Sequence, residues 1–81
     1  MAIFFSLLDF KINRPIACKN SDTFVSIEEK LYNEYPELKN NENFFLVNGR
    51  KIKRFLTIDE NNIKDGDSIL IYNINYTKFY F

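Results

Sequence analysis

Residues 43–74 constrain this chain most, because two short apolar runs there bracket both of its glycines. The first run, Phe44-Phe45-Leu46-Val47, enters Asn48-Gly49, a dipeptide that tolerates positive φ at both residues and reads as a hairpin turn. Asp65-Gly66-Asp67 reads as a second tight turn that delivers the chain into the other run, Ser68-Ile69-Leu70-Ile71-Tyr72. Residues 57–64 between the turns are polar apart from Ile58 and Ile63, and read as a helical turn with two core pegs.

Upstream, residues 2–8 form a dense apolar strand, and Ile16 and Cys18 mark its hairpin partner after a turn within 9–14. Pro15 has no backbone N–H, which places that partner strand at an edge or starts it after the proline. Thr23 is the expected helix N-cap, with Asp22 adding negative charge beside the first turn. Ser26 with Glu29 is a capping box in the case of a later start. Phe24, Ile27, Leu31 and Tyr35 recur at three- and four-residue spacing as one apolar stripe, which turns Glu28, Glu29, Lys30, Asn33 and Glu34 outward. Pro36 ends the helix, because the residue before a proline is driven out of the α region. A polar connector anchored by Leu38 follows over 37–43, Lys51-Ile52-Lys53 reads as a short strand, and 55–63 as irregular.

This order of elements, with Val47-Asn48-Gly49-Arg50-Lys51-Ile52 and then Thr57-Ile58 ahead of Asn62-Ile63-Lys64-Asp65-Gly66-Asp67-Ser68-Ile69, resembles the C-terminal half of a ubiquitin-like β-grasp domain. The opening Met1-Ala2-Ile3-Phe4-Phe5, and Ser21-Asp22-Thr23 ahead of a helix of fitting length, extend the resemblance over residues 1–75. The resemblance implies an α+β fold, a mixed sheet of four to five strands crossed by one main helix over 23–35. It also implies a protein-binding surface rather than an enzyme. Two positions near those of ubiquitin's chain-forming lysines carry Arg50 and Asp65 instead, so those linkages are absent. Residues 76–81 depart from the family in being an aromatic tail.

Composition narrows the function classes. A domain of 81 residues with 46% hydrophobic and 17% aromatic residues can build one core without staples. The expected core is Ile3, Phe5, Ile16, Cys18, Phe24, Ile27, Leu31, Phe45, Val47, Ile52, Ile58, Ile63, Ile69 and Ile71. A formal net charge of zero argues against a nucleic-acid partner. One cysteine forms no internal disulfide, and no apolar stretch approaches the roughly 20 residues that span a bilayer, so a cytoplasmic or nuclear protein is expected. Without histidine or a glycine-rich phosphate loop, and with no general base near Cys18, no catalytic, cofactor or metal residues are assigned. Asp59, Glu60, Asp65 and Asp67 match no calcium loop and read as turn and capping residues. The basic cluster Arg50-Lys51, Lys53-Arg54 reads first as a solvated hairpin flank.

The remaining candidate is a face of the sheet. Period-two alternation sends Phe45, Val47, Ile69 and Ile71 inward and Phe44, Leu46, Leu70 and Tyr72 outward, four apolar side chains on neighbouring strands. With Arg50 beside them, they are the expected partner-binding residues. Burying about 400 Å2 of such a patch at roughly 25 cal/mol per Å2 gives about 10 kcal/mol gross, much of it offset by association costs. The expectation is a non-catalytic interaction domain, not conjugated because no Gly-Gly ends the chain. Its alternatives are a self-associating structural subunit, a face covered by the chain's own aromatic tail, and a divergent modifier whose Gly-Gly end lies beyond residue 81.

Overall fold

Alternating burial along three strands sets the architecture: the computed structural model describes residues 1–7, 11–40 and 42–73. Among these, β1 (Ala2–Ser6), β2 (Lys11–Ala17), β3 (Asn43–Val47), β4 (Arg50–Lys51) and β5 (Ser68–Asn73) form one mixed sheet ordered β2-β1-β5-β3-β4. The central pair β1–β5 is parallel and the outer pairs are antiparallel. One helix, α1 (Phe24–Glu34), packs on the sheet, and a short 3-10 helix (Pro36–Asn40) follows it. The protein is thus α+β, with an arrangement compatible with a β-grasp.

The inward residues of β1, β3 and β5 meet the helix stripe in a single core. Phe5, Phe24 and Phe45, from β1, α1 and β3, pack as a trio with ring centroids 5.0 to 6.3 Å apart, one pair stacked and two edge-on. Every residue of the expected core is buried, and Leu7 and Leu38 join it. Ile58 and Ile63 are fully buried pegs on a single turn of helical bonding, in which Asn61 N–H donates to the Thr57 carbonyl at 3.0 Å, that does not continue into a helix.

The edge strand β2 carries Pro15 exposed to solvent, and the β1–β2 register shifts between Ile3 and Phe5, where a ladder N–H is missing in any case. Lys11 to Arg14 belong to β2 and not to the turn expected over 9–14; residues 8–10 and the aromatic tail 76–81 lie outside the described residues.

Thr23 is the N-cap by position, yet its side chain makes no capping bond. The helix's first N–H groups are met from another segment, Phe24 N–H by the Leu56 carbonyl at 2.9 Å and Val25 N–H by that of Arg54 at 2.8 Å. Ser26 Oγ donates to the Thr23 carbonyl from within the helix, so the later start with its Ser26–Glu29 box does not form. The capping box instead closes the turn at 57–60, where Glu60 Oε1 accepts from Thr57 N–H and Thr57 Oγ1 accepts from Glu60 N–H, both at 3.0 Å. Asn48 and Gly49 hold φ of 50° and 77°, the pair of positive values of the hairpin turn read from the sequence.

Candidate functional site

Register brings the four outward side chains together. Phe44 lies opposite Tyr72 and Leu46 opposite Leu70 across the β3–β5 ladder, so they occupy one continuous patch on the face away from the helix. The Phe44 and Tyr72 rings stack with centroids 6.1 Å apart and planes 16° from parallel. Phe44 is 36% exposed, while Leu46, Leu70 and Tyr72 are half-buried among their neighbours. On the β1 side, Ser6 lies opposite Leu70 and Phe4 opposite Ser68 on the same face.

Arg50 does not join the patch. It lies opposite Val47, whose side chain points into the core, and its guanidinium donates to the Asn61 carbonyl at 3.2 Å. A one-residue step along β4 puts Lys51 opposite Leu46 instead, with its ammonium 4.8 Å above the Phe44 ring. Of the basic cluster expected as a solvated hairpin flank, Arg50, Lys51 and Lys53 are exposed and Arg54 is half-buried.

Arg54 has the most specific contacts. Its Nε and Nη2 donate to the two oxygens of Glu28 at 2.7 and 3.0 Å, and Nη2 also reaches the Asn43 carbonyl at 3.2 Å. Glu28, expected to face outward, is only 6% exposed. It sits four residues from both Phe24 and Tyr32, on the flank of the apolar stripe rather than opposite it. Tyr32 Oη donates to Glu28 at 2.7 Å and accepts from Asn43 Nδ2 at 2.9 Å. Burial, reinforced by the neighbouring Glu28 carboxylate and opposed by the Asn43 amide, pushes the Tyr32 hydroxyl pKa up to about 12. Asn43 Oδ1 is buried without a hydrogen-bond partner.

This network borders a groove of about 770 Å3 between α1, the start of β3 and residues 51–56. Phe55, absent from the sequence-based candidates, stands on its rim 79% exposed. Sequence pattern gives it no signal beyond being one half of an apolar pair, Phe55-Leu56, in an irregular segment. Elsewhere, burial raises the Cys18 thiol pKa, which disfavours the reactive thiolate. Among the described residues, no acidic or thiol cluster suits a metal ion, and no helix is long and apolar enough to cross a membrane. A scan against models of known protein families matches none of them, and a search of curated proteins finds no match either.

Proposed function

We propose that the chain is a ubiquitin-like β-grasp domain, non-catalytic, that binds a protein partner in the cytoplasm or nucleus through the outer face of its sheet. The strand order, with a parallel central pair and one crossing helix, supports the fold assignment. The observation that carries the binding role is the in-register patch of Phe44, Leu46, Leu70 and Tyr72, in which Phe44 stays open to solvent. Patches of this kind on a folded domain are characteristic of interaction sites. Lys51 beside Phe44 supplies a charge at the border, the pattern of an apolar centre with a polar rim.

The test is a photo-crosslinking amino acid placed at position 70 in the protein expressed in cells, with and without Leu46→Asp. A discrete crosslinked species that disappears in the Leu46→Asp background, while circular dichroism shows an unchanged fold, supports the proposal. Crosslinking indifferent to Leu46→Asp refutes it. A product of twice the chain's mass would make a second copy of this chain the partner.

A further inference from the structure

We propose that the groove between α1, the start of β3 and residues 51–56 is a second docking site, which takes an extended acidic peptide bearing an aromatic or large aliphatic side chain. The groove shares Phe44 and Lys51 with the border of the sheet face, but the residues that carry the inference, Phe55 and Lys53, lie apart from that face on the segment held against the helix N-terminus.

Phe55 is the anchor. Its 79% exposure is not that of a loose loop, since the backbone around it is fixed on both sides. The Arg54 and Leu56 carbonyls accept from the first turn of α1, and the Asn61 side chain bonds both the N–H and the carbonyl of Lys53, at 2.8 and 2.9 Å. An aromatic ring held out on an ordered backbone loses little conformational entropy on binding, which is how strong interface anchors are built.

The charge of the groove defines the occupant. Lys39, Lys51, Lys53 and Arg54 line it against two acids, Glu28 and Glu42, and Glu28 is already neutralised by Arg54. The three lysines are exposed, so a chain of zero net charge presents a locally positive groove with an apolar rim formed by Phe44 and Phe55. The complement is an apolar side chain flanked by carboxylates. A peptide fits better than a nucleic acid, because the Phe44 and Phe55 rim offers apolar surface to a side chain, and a chain of zero net charge carries no basic excess beyond the groove to follow a phosphate backbone.

The experiment measures fluorescence anisotropy of the whole chain with labelled short peptides, each holding one Phe or Leu among Asp and Glu. The probes for comparison are the same peptides with Lys in place of the acids, and oligouridylate RNA. Expected are saturable binding of the acidic set alone, about tenfold weaker binding for Phe55→Ser and for Lys53→Glu, and weakening with salt. Leu46→Asp leaves this binding within about twofold, whereas it abolishes sheet-face binding, so the two readings fail separately. Since Phe55 and Lys53 are exposed, their substitution leaves the urea-unfolding midpoint close to that of the parent. Absence of preference for the acidic set overturns the proposal, as does Phe55→Ser binding like the parent or RNA binding more tightly than every peptide.

Discussion

Replacing Glu28 tests the structure where it departs furthest from a helical-wheel reading. An exposed helical glutamate can be replaced by alanine within about 0.5 kcal/mol. In this fold the Glu28 carboxylate accepts three hydrogen bonds, two from Arg54 at 2.7 and 3.0 Å and one from Tyr32 at 2.7 Å. Removing one partner of a fully buried ion pair costs about 3–5 kcal/mol, because the other charge is stranded. The Arg54 side chain is 41% exposed and regains water, whereas the Glu28 side chain is 8% exposed and cannot. Glu28→Ala is therefore expected to cost about 2 kcal/mol, chiefly the Tyr32 O–H left without its acceptor and the released Arg54. Arg54→Ala is expected to cost more, about 3–4 kcal/mol, because it strands the buried carboxylate. The double variant should resemble Glu28→Ala, which gives a large coupling energy. The assay is urea unfolding followed by far-ultraviolet circular dichroism. At a slope of about 1 kcal/mol per M, Glu28→Ala lowers the midpoint by about 2 M. A midpoint within about 0.5 M of the parent, or an Arg54→Ala variant no less stable than Glu28→Ala, would refute the burial argument.

Three further outcomes follow from the same packing. Ile27 is fully buried under the sheet, so Ile27→Ala should cost about 2–5 kcal/mol in the same unfolding assay, and an effect near zero would invert the helix orientation. Asn61→Ala removes the amide that ties Lys53 to the turn at 57–61 and should cost about 2–3 kcal/mol, with amide exchange at Lys53 accelerating before that of the sheet. Tyr32 holds its proton up to about pH 12 in the folded state, while the unfolded chain releases it near pH 10, so the folded state binds more protons in that window and stability falls as pH rises through it. Tyr32→Phe removes that share of the alkaline decline; identical pH profiles for the two proteins would count against a buried, hydrogen-bonded hydroxyl.

Much of this fold is local information. Hydrophobic alternation identified β3 and β5 and their inward sets, three- and four-residue spacing identified α1, and Asn48-Gly49 identified the hairpin, because each depends only on residues a few positions apart. The outward set Phe44, Leu46, Leu70 and Tyr72 followed from the same alternation, and the register of β3 on β5 was needed only to show that these side chains meet. What sequence alone left undecided depends on partners distant in the chain. Thr23 looked like a self-sufficient cap, but the N–H groups after it are met by carbonyls some 30 residues away, which no capping pattern encodes. Glu28 faces Arg54, 26 residues on, and is buried only because the segment after β4 folds over the helix flank. Arg50 and Lys51 exchange roles because the short edge strand fixes which of two adjacent basic residues points to which face, a choice of one residue in register. Phe55 is exposed for the complementary reason: the segment that buries Ile52 and half-buries Leu56 has its backbone pinned to α1 and Asn61, and the ring between them is left in solvent. The sequence by itself therefore determined the elements, the core and one face, and the tertiary structure alone decided which polar groups are buried and which apolar ones are not.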